Sequence, residues 1–251
     1  DYFVLEISSY QLETTLHFHP KVGAILNVTP DHLARHTTIE QYAATKAKLF
    51  ARQAKDEFSI VNADDPVSAP LTDAGRGRAL SFSLARAVPA GLWVDGEVIR
   101  EGDMEVAKVG DVPLPGKHNL ANAVAALTAV RAAKLDWGGC LAGLRSFQAV
   151  EHRIEPVTTF EGVEYVNDSK STNIDSLRVA LESFERPIVL IAGGRGKGSD
   201  YRVLRDLVQR RVKAMVTIGE DAPALENAFG DIVKAVRADD MDAAVWRAHE
   251  L

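Results

Sequence analysis

The sequence predicts an α/β protein of two successive domains, the first spanning residues 1–148 and the second residues 149–251. Three observations carry that expectation. Short apolar runs of the kind seen in strands buried on both faces are separated by stretches with helical spacing. Four polar clusters fall in a fixed order where an apolar run ends or a helix begins, which is where α/β proteins place their chemistry. Near Phe147 to Arg153 the character of the chain changes, and beyond it strands and helices alternate regularly.

Taken in order, Tyr2 to Ile7 and Val22 to Val28 read as buried strands. Ile39 to Arg52 reads as a helix in which Ile39, Tyr42, Ala43, Leu49 and Phe50 share a face, with Lys46 near its edge. Phe58 to Val61 is a further strand, broken by the turn-forming run Asn62-Ala63-Asp64-Asp65-Pro66. From Ala79 to Val112 short segments punctuated by Gly91, Gly96, Gly102 and Gly110 suggest a small antiparallel excursion. An Ala-rich helix follows at Leu120 to Lys134, with Asn119 as its N-cap. In the second domain, strands at Val163–Val166, Ile188–Ala192, Ala214–Ile218 and Ile232–Val236 alternate with helices. Those helices include Asn173–Phe184 and Tyr201–Arg211, a doubly wound pattern.

The bulk properties exclude several function classes. With 46% hydrophobic and 25% charged residues, the 251-residue chain has the composition of a globular protein with sizeable cores. A net charge of −6 and the lack of any basic block argue against a nucleic-acid surface. No apolar stretch approaches the ~20 residues that span a bilayer. The single cysteine, Cys140, is expected to be a buried, inert thiol, and the expected compartment is cytoplasmic. The chain opens on a strand-like run without an initiator methionine and closes on an amphipathic helix pattern from Asp239 to Leu251. It is therefore expected to be part of a longer protein.

The clusters carry the chemistry. Glu6 stands inside an apolar run, where a carboxylate is costly to bury unless paired or bound to a cation; a hydrogen-bonded role in the Ser8-Ser9 turn is the alternative. His32, beside Asp31, follows the second strand and reads as either a turn residue or a ligand. Adjacent parallel strands would bring Glu6 and His32 to one sheet edge, where oxygen ligands and one imidazole suit Mg²⁺ or Mn²⁺. His32 and His36 have the spacing of a zinc pair, but no third strong ligand is evident and zinc is rejected. Lys46, taken alone, reads as a surface lysine. Asn119 and Asn122 lie one turn apart at a helix start, where they cap the helix or read a nucleobase edge. In Asn167-Asp168-Ser169-Lys170-Ser171-Thr172-Asn173, Thr172 and Asp175 form a capping-box-like pair, and Lys170 beside a helix N-terminus favours an anion. Gly193 to Ser199 is a glycine-rich turn with two cations, Arg195 and Lys197, suited to a phosphate or carboxylate. It matches neither a Walker A loop nor a dinucleotide fingerprint.

These residues together resemble the Mur ligases, the ATP-dependent amino-acid-adding enzymes of peptidoglycan synthesis, from Leu5-Glu6-Ile7-Ser8-Ser9 to at least Lys197. The resemblance implies a central ATPase domain followed by a Rossmann-like C-terminal domain. The central sheet would be mostly parallel, with helices on both faces, plus a small antiparallel excursion. The phosphate-binding loop would lie upstream of residue 1, and a C-terminal serine and phenylalanine segment downstream of Leu251, so that these 251 residues alone are expected to be inactive.

The resemblance also implies roles. Glu6 and His32 match Mg²⁺ ligands, and Lys46 matches a lysine carbamylated by CO₂ that serves a second Mg²⁺ site. Lys46, His32 and Lys170 would be the catalytic residues. Asn119, Asn122, Arg153 and Asp168 match positions that hold ATP, while Thr172, Lys197 and Ser8 match substrate-binding positions. The Asn167–Asn173 stretch is similar to the branch that adds D-glutamate to UDP-N-acetylmuramoyl-L-alanine through an acyl phosphate. A sister ligase with another amino acid, or a non-catalytic nucleotide-binding fragment, is the alternative. A monomer acting on small molecules, with neither nucleic-acid nor membrane partners, is expected.

Overall fold

The computed structural model describes residues 2–29, 33–114, 116–148, 150–196, 198 and 200–251, with backbone alone at 33 and 34. His32 and Lys197 lie outside the described residues. The chain divides into two units, Asp1–Gln148 and Ala149–Leu251.

The first unit is built on a six-stranded sheet in the order β1 (Val22–Ile25), β2 (Phe58–Asn62), β3 (Arg78–Ser83), β4 (Gly91–Asp95), β5 (Val98–Glu101) and β6 (Met104–Lys108). The pairs β1–β2, β2–β3 and β3–β4 are parallel, and β4–β5–β6 are antiparallel. The antiparallel excursion is thus confined to the last three strands, and β3 belongs to the parallel part. Strand β2 shows why the sheet is central. Alternate side chains leave on opposite faces, so Ile60 joins a cluster with Phe82, Leu92, Ile99, Val124 and Leu127. Val61 joins another with Ile25, Val28, Tyr42 and Phe50. The first cluster is closed by α4 (Lys117–Ala132) and the second by α3 (Ile39–Ala47). Gly91 opens β4 at φ +119, and a Cβ there would run into the Ser81 carbonyl, so only glycine closes this register.

The remaining helices of this unit are α1 (Ser9–Thr14), the single turn α2 (Leu33–His36) and α5 (Trp137–Arg145). Several expectations are corrected. Residues 2–7 form no strand, because a strand needs a neighbour for its backbone groups and none of the described ladders includes them. Tyr2, Phe3, Val4 and Leu5 are accordingly exposed. Strand β1 stops at Ile25, and α3 ends at Ala47, after which turns continue to Arg52. Helix α4 starts at Lys117 with Gly116 as N-cap, which places Asn119 inside the first turn rather than at the cap. Cys140 is half-buried on α5, since that helix buries none of its residues fully.

In the second unit, β7 (Glu155–Phe160) and β8 (Val163–Asn167) form an antiparallel hairpin. A separate parallel sheet has the order β11 (Lys234–Arg237), β10 (Val212–Ile218) and β9 (Ile188–Gly193). Met215 packs with Leu181, Leu204, Val208, Leu225 and Phe229 on one face. Val216, the next residue, packs with Ala238 and Ala244 on the other. The helices α6 (Ile174–Glu182), α7 (Arg205–Arg211), α8 (Ala222–Phe229) and α9 (Met241–His249) supply those partners other than Leu204 and Ala238. The expected helix at Tyr201–Arg211 is a 3₁₀ turn, Tyr201–Leu204, followed by α7. Asn173, not Thr172, caps α6, in a reciprocal box with Ser176. No helix among the described residues is long and apolar enough to cross a membrane.

Candidate functional site

In the first unit two of the candidate residues, Asn119 and Asn122, can be placed at a sheet edge. The C-terminal half of α4, from Thr128 to Ala132, lies beside Phe58 and Gly91, which open β2 and β4. Helix α4 therefore runs antiparallel to the parallel strands, and its N-terminal residues Asn119 and Asn122 lie at their C-terminal edge. That edge is where open α/β sheets bind ligands. The exits of β1 and β2 meet there too, for the Asp65 carboxylate accepts a hydrogen bond from the Val28 N–H at 2.8 Å. Asn122 is exposed and Asn119 half-buried.

Glu6 is exposed and leads into α1. Ser8 caps that helix: its hydroxyl accepts from the Gln11 N–H at 3.3 Å, and its own N–H donates to the Gln11 side chain at 2.9 Å. Lys46 lies in the last turn of α3, its Nζ 4.9 Å from the centroid of the Tyr42 ring. Helices α1 and α3 are tied together. Lys48 Nζ donates to the Glu13 carbonyl at 2.9 Å, and the buried His36 meets Ser9 Oγ through Nε2 at 2.9 Å. The Arg35 guanidinium beside Glu13 holds that carboxyl below the usual carboxylate range. Among the described residues no three His, Cys, Asp or Glu side chains form a metal cluster. Glu6 nevertheless offers an exposed carboxylate, the hard oxygen donor that Mg²⁺ takes.

In the second unit the structure gathers Arg153, Asp168, Lys170 and Thr172 into one pair of crossing loops. Asp168 Oδ1 accepts from the Ile154 N–H at 3.0 Å, and the Lys170 N–H donates to the His152 carbonyl at 3.0 Å. Arg153 lies between these two bonded residues, and His152 and Ile154 hold φ of 66° and 46°. A β-branched residue in the left-handed region is strained and persists only where its surroundings fix it. Here Asp168 supplies part of that fixing. Arg153, Lys170 and Thr172 are exposed, and Thr172 directly precedes Asn173, the N-cap of α6.

The exits of β9 and β10 are bonded to each other. The Gly194 N–H donates to the Ile218 carbonyl and the Asp221 N–H to the Gly194 carbonyl, both at 3.0 Å. Gly193 has φ +151 with its Cα against the Ile218 carbonyl, a position closed to any side chain. Arg195 pairs with Glu220 at 3.1 Å on the surface. Sequence reasoning missed Tyr201, whose hydroxyl donates to Asp221 beside this turn. It also passed over Glu13, and it saw Tyr42 only as a core residue.

The family model of the Mur ligase middle domain matches residues 1–130, and that of the Mur ligase glutamate ligase domain matches residues 152–251. The UDP-N-acetylmuramoylalanine–D-glutamate ligase of Pelotomaculum thermopropionicum is 44% identical over 250 residues, covering 98% of this chain and 53% of its own. Its namesake from Acidobacterium capsulatum is 42% identical over 248 residues, covering 96% and 54%. The chain thus spans about half the length of these curated relatives. Among solved structures, MurF from Acinetobacter baumannii superposes with a TM-score of 0.71 at 19% identity, over 87% of this chain and 51% of that one. MurF ligase from Thermotoga maritima in complex with ADP gives 0.65 at 18%, over 88% and 53%. At such identities the likeness is one of fold.

Proposed function

Because the chain belongs to the Mur ligase family, we propose that the full-length protein is the ATP-dependent ligase that adds D-glutamate to UDP-N-acetylmuramoyl-L-alanine in peptidoglycan precursor synthesis. The observation that supports it most is similarity to D-glutamate ligases across almost the entire chain, at 44% identity in one case. The Asn167–Asn173 stretch is the part of the sequence that resembles that branch, and its Asp168 carboxylate and Lys170 N–H are bonded to backbone groups of Ile154 and His152.

In this reading the L-alanine carboxylate attacks the γ-phosphate of ATP, releasing ADP and leaving an acyl phosphate. The D-glutamate amine then attacks the acyl carbon, and inorganic phosphate departs from the tetrahedral intermediate. Asn119, Asn122, Arg153 and Asp168 bind the nucleotide. Thr172, Lys197 and Ser8 hold the substrates, and the Lys170 ammonium stands near the transferring charge. Glu6, His32 and a carbamylated Lys46 would hold two Mg²⁺ ions, since an ammonium repels a cation and a carbamate offers it oxygens. Mg²⁺ held by these residues would supply charge neutralisation for the phosphates. The protein is proposed to act as a cytoplasmic monomer.

The test is phosphate release by the full-length protein with ATP, Mg²⁺ and UDP-N-acetylmuramoyl-L-alanine, offering D-glutamate, L-glutamate, L-lysine or meso-diaminopimelate. Release with D-glutamate alone is expected. Release only with another acceptor would void the roles of Thr172 and Lys197, and silence with every acceptor would overturn the ligase reading.

A further inference from the structure

The proposed reaction gives His36 no part, yet His36 contacts Ser9 of α1, Glu13 of α1 and Tyr42 of α3. It is 4% exposed. Its Nε2 lies 2.9 Å from Ser9 Oγ and its Nδ1 3.5 Å from Glu13 Oε1. The Glu13 carboxylate favours the tautomer with the proton on Nδ1, which leaves Nε2 to accept the Ser9 hydroxyl hydrogen. Arg35, the preceding residue, grips the same Glu13 at 2.7 Å. With both nitrogens engaged, the imidazole has a fixed orientation.

That fixed ring stacks on Tyr42, with centroids 5.0 Å apart and planes inclined by 30°. Tyr42 is itself 7% exposed and stands one helical turn before Lys46. The Lys46 amino group lies over the Tyr42 ring, 4.9 Å from its centroid. A lysine side chain has four rotatable bonds and many rotamers, so a site that needs its terminal atom in one place must restrain it. A tyrosine held against a buried histidine is such a restraint. The Ser9 bond extends it to the segment bearing Glu6 and Ser8, which enters α1 directly before Ser9.

The order Ser9, His36, Glu13 is also that of an acyl-transfer triad. With Ser9 and His36 each 4% exposed, no substrate carbonyl reaches the hydroxyl, and the arrangement is one of support. We propose that His36 is a positioning residue that sets the Lys46 amino group, through the Tyr42 ring, relative to the Glu6–Ser9 segment. The functional weight of this rests on the role given to Lys46 above; the contacts among His36, Tyr42 and Lys46 do not.

The experiment uses the full-length protein carrying lysine labelled with ¹³C at Cε, in CO₂-depleted buffer so that Lys46 keeps its amino group. Lys46→Arg identifies the Lys46 resonance, which the Tyr42 ring current is expected to displace from those of the other lysines. His36→Ala and Tyr42→Leu are expected to return it to the common position, and Tyr42→Phe to leave it displaced. In turnover, His36→Ala is expected to lower kcat about tenfold, the cost of a slightly misplaced group, while KM for D-glutamate stays unchanged. Ser9→Ala provides the same comparison if His36→Ala does not fold. A Lys46 resonance unmoved in a folded His36 or Ser9 variant overturns the proposal, as does a kcat loss no larger than the loss of folded protein. Lack of turnover by the unaltered protein would overturn the ligase reading while the resonance comparison still decides this one.

Discussion

Tyr201 donates its phenolic hydrogen to the Asp221 carboxylate, joining the 3₁₀ turn after the glycine-rich loop to the residue that opens α8. Burial, followed by the Asp221 hydrogen bond and charge, pushes the Tyr201 phenol up from 10.0 to about 12. The folded protein therefore holds this proton to higher pH than the unfolded chain. The stability this provides is complete below pH 10 and is lost as pH rises through about 12. Chemical denaturation at stepped alkaline pH is expected to show that decline in the parent and a shallower one in Tyr201→Phe. An identical slope in both would remove Tyr201 as the cause.

Gln53 is 2% exposed and fully used. Its amide donates to the Pro20 and Phe58 carbonyls at 2.9 and 2.7 Å, and its oxygen accepts from Ser59 Oγ at 2.6 Å. It thereby sews the loop before β1 to the start of β2. Gln53→Leu strands several buried polar atoms at once and is expected to cost about 2–4 kcal/mol, whereas Ser59→Ala costs about 1 kcal/mol. Urea midpoints of the two variants decide it; equal losses would show that the carbonyls find other partners.

Sequence alone reached some of these features and not others, for physical reasons. The run Phe58-Ser59-Ile60-Val61 is legible as a strand because both its faces are buried, which needs apolar residues in succession. Residues 2–7 carry the same signature and form no strand, because pairing depends on a neighbour and not on the run itself. Helix α5 is hidden by Gly138, Gly139 and Gly143; it is carried by the Asp136 cap and by packing of Trp137, Leu141 and Leu144 on the core. Asp168, Lys170 and Thr172 fall within one seven-residue stretch, Asn167–Asn173, and are readable as a motif, whereas Arg153 stands apart from it. His36 with Ser9, or Tyr201 with Asp221, bridge 27 and 20 positions and acquire meaning only when the chain folds.

Thr37, directly after His36, is an exposed β-branched residue at φ 67. An L-residue pays roughly 1–2 kcal/mol in this region, partly offset in glycine by the entropy of its unfolded chain. Thr37→Gly is accordingly expected to stabilise the fold by up to about 1 kcal/mol, read from the thermal midpoint. A drop would mean that the Thr37 side chain makes a contact worth more than the strain.

Lys46→Ala in the full-length protein is expected to abolish most ligase turnover, because the proposed carbamate is lost with the side chain. Formate or acetate can enter the vacated space and supply oxygens in its place, so partial recovery with increasing carboxylate concentration is expected. The folded state is expected to survive, since Lys46 is only half-buried. Full turnover without added carboxylate would contradict the role given to Lys46.

Thr217 on β10 has no exposed surface, and its hydroxyl donates to Glu226 Oε1 at 2.7 Å. The same carboxylate accepts from Arg237 Nε at 2.9 Å, so it is shared between a buried hydroxyl and a surface guanidinium. Arg237 first, and Thr217 second, hold the Glu226 carboxyl below its ordinary range. That contribution is present above the unfolded chain's pKa and is lost as acid protonates the folded form. Glu226→Ala strands the Thr217 hydroxyl in a dry environment and is expected to cost about 1–3 kcal/mol. Glu226→Gln keeps an acceptor and should lose less, mainly the acid dependence. Adding Thr217→Val to Glu226→Ala removes the stranded group itself, and the double variant is expected to recover much of the stability. A double variant less stable than Glu226→Ala alone would place the loss in packing instead of in the unmade hydrogen bond.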